Sequence, residues 1–177
     1  DQHANEGDVW DFYCGKRTPT VCYPVGAVLT IAAAGSEMSN SSVITNEDGW
    51  SKRGYNNDIC RPKFAVMNPE RTMTLPDYQT ASGCVDIMMH TMERYLGHGD
   101  TMELTDALAE GLLRTVMKDA VILRDDPKNY DARAEVMWAS SLSHNGLTGC
   151  GSDGGDWASH RLGPEDGGVF GRGPRVR

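Results

Sequence analysis

The sequence predicts an α/β half followed by an all-α half, with the division near residue 76. Before that point, short apolar segments rich in β-branched residues alternate with turns, which is typical of strands and loops. After it, apolar residues recur at intervals of three and four, which is typical of amphipathic helices. The 177 residues are enough for one well-packed core or two small ones.

Three strands are predicted in the first half. Residues 21–31 form a continuous apolar run that ends in a series of small residues, which suits a strand buried on both faces. Residues 42–45 form a second strand that leads into a turn of Asn, Glu, Asp and Gly. Residues 63–67 form a third, which ends before Pro69 because the residue that precedes a proline is restricted in conformation.

Three helices are predicted in the second half. The first starts at 76–77 and shows helical spacing through 80–95, and the second covers 104–123. Asn129 caps the third, 130–143. The residues expected on the buried side of the second helix are Leu108, Leu112, Leu113, Val116 and Val121.

The end of the chain differs from the helical segments. A fourth helix is predicted to begin at Asp156. Residues 164–177 are dense in Gly, Pro and Arg and have no hydrophobic period, so irregular structure is expected there.

Composition argues against several classes of protein. The net charge of −8 disfavours nucleic-acid binding, which needs a basic surface. No apolar run reaches the roughly 18 residues of a membrane span. The cysteine number is odd and no CxxC pair is present, which indicates neither a disulfide framework nor a zinc finger. We therefore expect free thiols and a cytoplasmic location.

Asp86 and His90 are the first candidate metal ligands. A spacing of four places both side chains on one face of the predicted helix. Carboxylate and imidazole together suit Fe²⁺ or Zn²⁺, although such a pair is more often a hydrogen-bonded pair at the surface. A third ligand would have to come from elsewhere, and spacing does not choose among His3, His98, His144 and His160.

The segment around Gly35 and Ser36 is a candidate phosphate-binding turn. Small residues after a strand let backbone N–H groups approach a phosphate closely. The same residues are also compatible with an ordinary turn. Lys52, which Arg53 follows, either neutralises a phosphate or belongs to a charged turn.

A series of short motifs occurs in a fixed order along the chain. They are Leu29-Thr30, Gly35-Ser36-Glu37, Lys52-Arg53-Gly54, the run from Pro62 to Pro69, Thr74-Leu75-Pro76, Asp86-x-x-x-His90 with Glu93, Tyr130-Asp131-Ala132-Arg133-Ala134, Met137-Trp138-Ala139 and Asp156-Trp157-Ala158-Ser159-His160. In this order they resemble the iron-containing alcohol dehydrogenase family, in particular its butanol-dehydrogenase-like branch of often NADPH-dependent aldehyde reductases. The resemblance runs from about Val9 to Gly163.

The resemblance implies an incomplete fold of the dehydroquinate-synthase type. Residues 1–76 would be the end of a dinucleotide-binding α/β domain, 77–163 the first helices of an all-helical metal-binding domain, and 164–177 a divergent tail. The chain would then be an internal piece of a longer protein. The parent protein would be a cytoplasmic homodimer.

The resemblance also implies a function and a set of site residues. The parent protein would interconvert primary alcohols and aldehydes with NADP or NAD as hydride carrier and a divalent metal, Fe²⁺ or Zn²⁺. Its substrates would be small molecules, with no nucleic-acid or membrane partner. By position, the metal ligands are Asp86, His90 and His160, and the cofactor-binding residues are Thr30, Gly35, Ser36, Ser39 and Lys52.

The sequence departs from the family pattern at several positions. The resemblance places a fourth metal-binding histidine at position 174, where this chain has Pro174. Pro164 stands where relatives usually have another histidine, and Ala34 replaces a threonine. A shifted reading frame is our hypothesis for 164–177. These departures and the family's upstream Gly-rich loop, which is missing here, lead us to expect weak or absent turnover. The alternatives are a non-catalytic remnant that binds metal, and a polyol dehydrogenase or dehydroquinate-synthase-like lyase on the same scaffold.

Overall fold

Among the residues that the computed structural model describes, 5–97, 99–155, 157, 158 and 160, the first half contains four short strands in two pairs. One pair is parallel, with Gly26 beside Phe64, and the other is an antiparallel hairpin. A one-turn helix precedes them. The bounds are α1 Trp10–Tyr13, β1 Gly26–Val28, β2 Ser41–Asn46, β3 Ser51–Asn56 and β4 Phe64–Val66.

The predicted strand over 21–31 was wrong in length and in burial. Strand β1 covers three residues of that run, and Tyr23 and Val28 in the same run are 58% and 55% exposed. Two causes shorten the strand. Pro24 has no N–H to donate to a ladder, and the partner strand β4 is itself limited by prolines on both sides.

The other two predicted strands are confirmed as β2 and β4, whereas β3 was missed. The sequence of β3 has no apolar alternation, so Lys52 was expected either at a phosphate or in a turn. The hairpin register pairs Lys52 with Thr45. Cross-strand hydrogen bonds to β2 therefore define β3, and a pattern of hydrophobic residues does not reveal them.

The second half contains the three predicted helices. They are α2 Asp77–Tyr95, α3 Glu103–Asp125 and α4 Tyr130–His144. Asn129 caps α4 as predicted, because its side-chain oxygen accepts a hydrogen bond of 3.1 Å from the backbone N–H of Ala132. Short 3₁₀ turns at Asp58–Cys60, Pro69–Thr72 and Leu147–Gly149 connect or end these elements.

One core joins the three helices to the end of the first strand. Ile87 of α2 and Val116 of α3 are fully buried. Leu29 and Ala32, just after β1, belong to the same cluster. Its remaining buried members are Cys84, Leu112, Leu123, Ala132, Val136, Met137 and Ala139.

The buried face of α3 differs from the predicted one. Leu112 and Val116 are buried as expected and Leu113 is half-buried, but Leu108 and Val121 are 42% and 52% exposed. Helical geometry explains the error, because the buried stripe repeats every three or four residues. The residues on that stripe are Ala109, Leu112, Val116, Asp119 and Leu123.

Several predicted features fall outside the described residues. These are His3, His98, the fourth helix start at Asp156, and the tail 164–177 with Pro174. In the described part of the chain, no helix is long and apolar enough to cross a membrane.

Candidate metal centre

The structure brings together the three ligands that the family resemblance implied. Asp86 and His90 lie one turn apart on α2, and His160 follows α4 along the chain. One donor atom from each lies within 4.8 Å of the other two. The Asp86 Oδ1 atom is 3.6 Å from His90 Nδ1 and 3.6 Å from His160 Nε2.

A glycine segment allows His160 to reach α2. Gly155 has φ 66°, and a Cβ atom at this position would lie 2.5 Å from the backbone oxygen of Glu93. The segment can therefore approach the helix closely only where it has no side chain. Trp157 then packs its ring against His90 and His160, with centroid distances of 5.9 and 5.5 Å.

Glu93 orients the His160 ring, a role that was not predicted from the sequence. Its Oε2 lies 2.9 Å from His160 Nδ1, and its Oε1 accepts a hydrogen bond from the His160 backbone N–H at 3.3 Å. The Nε2 atom of His160 then faces Asp86. A carboxylate behind a metal-binding histidine fixes its tautomer and orientation. The sequence signal that could have revealed this role is spacing, since Glu93 lies about one helical turn after His90 on the same helix.

Replacement of Glu93 by alanine should weaken Zn²⁺ binding by about 10- to 100-fold, because the orientation of His160 is lost. The Glu93→Gln variant keeps an acceptor oxygen and should lose less. Titration calorimetry of the purified chain with Zn²⁺ measures both effects. Glu135→Ala removes an exposed glutamate from α4 and serves as the control. Equal affinities for Glu93→Ala and the unchanged protein would contradict the role of Glu93.

The electrostatic surroundings of the two histidines suit a cation. Burial lowers the pKa of His90, which keeps its ring neutral near pH 7. Interaction with Asp86, and then with Glu93, raises the pKa of His160 against the opposing effect of burial. The two carboxylates thus favour positive charge at His160. One carboxylate and two imidazoles are donors that Fe²⁺ and Zn²⁺ accept, so the residues present fit a divalent metal.

His144, one of the four histidines among which spacing did not choose a third ligand, also contacts this cluster. It is the last residue of α4, and its ring meets that of His90 edge-on at 4.7 Å between centroids. Its Nε2 lies 2.9 Å from Ser39 Oγ. Burial lowers the pKa of His144 to about 4, so the ring is neutral at physiological pH. His144 therefore connects a predicted cofactor residue with a predicted metal ligand.

Gly35 packs against α4. Its φ is 56°, and its backbone N–H donates a hydrogen bond of 3.2 Å to Ser140 Oγ. A Cβ atom at this position would lie 2.6 Å from the Cβ of His144. The expectation that this turn presents free N–H groups to a phosphate therefore does not hold for the Gly35 amide, which bonds to the protein itself.

The other predicted cofactor residues occupy different surroundings. Thr30 and Ser36 are exposed, and Ser39 is half-buried beside His144. Lys52 is half-buried in the hairpin. Ser39 contacts His144, which in turn packs against His90, whereas the side chains of Thr30 and Ser36 are open to solvent.

Comparisons with known proteins agree with this architecture. Residues 80–172 match the model of the Fe-containing alcohol dehydrogenase family, C-terminal, and residues 2–69 match that of iron-containing alcohol dehydrogenase. The NADH-dependent butanol dehydrogenase A of Clostridium acetobutylicum is 41% identical over 157 residues, which are 89% of this chain and 40% of that protein. The NADPH-dependent aldehyde reductase YqhD of Escherichia coli is 42% identical over 142 residues, 80% of this chain and 36% of that protein.

A solved structure shows the same fold. The crystal structure of NADH-dependent butanol dehydrogenase A from Thermotoga maritima superposes with a TM-score of 0.91 at 36% identity. The superposition covers 96% of this chain and 42% of that one. The present chain thus spans about 40% of the length of the curated relatives that it matches.

Proposed function

Because this chain belongs to the iron-containing alcohol dehydrogenase family, we propose that it carries the metal centre of an oxidoreductase that interconverts aldehydes and primary alcohols. The observation that carries the proposal is the cluster of Asp86, His90 and His160, whose donor atoms lie within 4.8 Å of one another. Their chemistry suits Fe²⁺ or Zn²⁺. Relatives named for NADH and for NADPH both match, so NAD(P)(H) is the proposed hydride carrier.

The residues around the proposed metal site have different roles. Asp86, His90 and His160 hold the divalent cation, and Glu93 holds His160 in position. When bound, the cation supplies Lewis-acid stabilisation for the negative charge that develops on the substrate oxygen. Trp157 packs on the two histidine rings and shields that side of the cluster.

We assign the dinucleotide to the first half of the chain. The exposed Thr30 and Ser36 side chains are available for hydrogen bonds to the cofactor, and Lys52 contributes positive charge. Gly35 shapes the turn instead of donating its amide. Ser39 lies beside His144, which supports a nucleotide site next to the metal site. In this assignment 1–76 is the dinucleotide-binding part and 77–163 the metal-binding part.

The proposal also covers the substrates, the cellular location and the oligomeric state of the parent protein. The names of the relatives favour small aldehydes and alcohols as substrates. All five cysteines are free thiols, which agrees with a reducing cytoplasm. We propose a homodimer for the parent protein, as the family resemblance implies.

Two measurements on the purified chain test the proposal. The first is metal content, for which we expect one Zn²⁺ or Fe²⁺ bound per chain. The second is oxidation of NADPH and NADH by butanal, which we expect to be slow, to require the metal and to disappear in Asp86→Asn. Failure to bind a metal, or turnover that Asp86→Asn does not change, would overturn the proposal. Tight metal binding without any turnover would support the proposed metal site and refute catalysis by this chain.

A further inference from the structure

Two cysteines precede the parallel strands at equivalent positions. Cys22-Tyr23-Pro24 begins four residues before Gly26, and Cys60-Arg61-Pro62 begins four residues before Phe64. Gly26 and Phe64 are direct neighbours in the β1–β4 pair. Cys60 ends the 3₁₀ turn Asp58–Cys60, and Cys22 lies in the segment that leads into β1, so both cysteines lie at the entrance to the strand pair.

The two thiols lie close enough to influence each other, since the neighbouring Cys22 adds to the effect of burial in raising the pKa of Cys60. The Cys22 Sγ atom donates a hydrogen bond of 3.4 Å to the backbone oxygen of Tyr23. The Lys63 N–H donates to the Val25 oxygen at 2.8 Å, so backbone pairing extends from the strands toward the cysteines.

We propose that Cys22 and Cys60 form an oxidation site that closes to a disulfide with a peroxide as oxidant. One thiolate attacks the peroxide oxygen and becomes a sulfenic acid, and hydroxide leaves and takes up a proton to form water. The second thiol attacks the sulfenic sulfur, the S–S bond forms, and a second water leaves. The two sulfurs together lose two electrons, which reduce the peroxide.

The surroundings of the thiols favour this pair over the other described cysteines. Burial raises the pKa of Cys84 to about 11, which keeps that thiol protonated and shielded in the core. Cys150 is exposed on a turn after α4. Cys14 Sγ accepts a hydrogen bond from Arg53. Cys22 and Cys60 have each other as a neighbouring thiol, which a disulfide requires.

The bond would enclose the proposed cofactor-binding segment. The loop that it closes runs from Cys22 to Cys60 and contains every residue assigned to the dinucleotide, Thr30, Gly35, Ser36, Ser39 and Lys52. Oxidation would therefore restrict the segment that has to fit the cofactor. This consequence rests on the proposed function, whereas formation of the bond does not.

Peroxide treatment of the full chain tests the inference. We expect a Cys22–Cys60 peptide in a non-reducing digest and a rise of about 10 °C in the unfolding midpoint that dithiothreitol reverses. Cys22→Ser and Cys60→Ser should abolish both changes, and the matched control Cys150→Ser should keep them. A bond between other cysteines, or sulfinic acid at Cys22 without a bond, would overturn the proposal.

A nucleotide titration separates the bond from its consequence. We expect the oxidised chain to bind NADPH at least about fivefold more weakly than the reduced chain, a difference of about 1 kcal/mol. The linked peptide with unchanged NADPH affinity would refute the consequence and support the oxidation site. Absence of NADPH binding by the reduced chain, with the linked peptide present, would refute the cofactor assignment and leave the oxidation site established.

Discussion

Replacement of His90 by alanine is expected to weaken Zn²⁺ binding by about 300-fold. The binding free energy of a zinc site is on the order of 10 kcal/mol, and His90 is one of three described donors. Loss of roughly a third of that energy corresponds to this factor, since each 1.4 kcal/mol is tenfold. Calorimetric titration of both proteins with Zn²⁺ measures the change. Circular dichroism of the metal-free proteins checks that α2 is intact in the variant.

A second histidine provides the matched control for this experiment. His144 lies against the His90 ring, but it is outside the three-donor cluster. His144→Phe retains a ring at that contact and removes both nitrogens, so we expect a clearly smaller loss of Zn²⁺ affinity than in His90→Ala. Equal losses in both variants would show that His144 is itself a ligand. Unchanged binding in His90→Ala would place the metal elsewhere.

The sequence predicted the metal cluster in two unequal steps. Helical spacing was sufficient to pair Asp86 with His90, because both lie on one helix whose geometry is fixed. The choice of His160 needed the family resemblance, since spacing along the chain does not favour it over His3, His98 or His144. Glu93 and His144 acquire their roles through contacts across elements. Such contacts depend on tertiary packing, which spacing along the chain does not encode.

The fold shows the same division between local and tertiary causes. The bounds of α2, α3 and α4 follow from hydrophobic period and from the Asn129 cap, both of which are local. Strand β3 depends on its partner β2, and the length of β1 depends on β4. A strand needs a neighbour to satisfy its backbone groups, so its extent is decided by residues far away in the sequence.

Replacement of Gly83 by alanine is expected to lower the unfolding midpoint by about 10 °C. Gly83 is buried on α2, and a Cβ atom there would lie 2.2 Å from the backbone oxygen of Ala32. A backbone atom cannot move aside as a flexible side chain can, so the segment after β1 has to shift. Overpacking of this kind costs about 3 kcal/mol, and each kcal/mol lowers the midpoint by about 2 to 4 °C in a chain of this size. Calorimetric unfolding of the metal-free chain measures the effect.

Gly111 offers a control of the same chemical change in the same kind of element. It lies within α3, and a Cβ atom there would meet nothing within 4 Å. Gly111→Ala should therefore raise stability by about 0.5 to 1 kcal/mol, since alanine favours the helix. A Gly83→Ala protein as stable as Gly111→Ala would contradict the close contact with Ala32. The Zn²⁺ affinity of Gly83→Ala should stay near that of the unchanged protein, because the displaced Ala32 supplies no metal ligand. Loss of stability with retained metal binding would thus locate the damage at the junction between the first strand and α2.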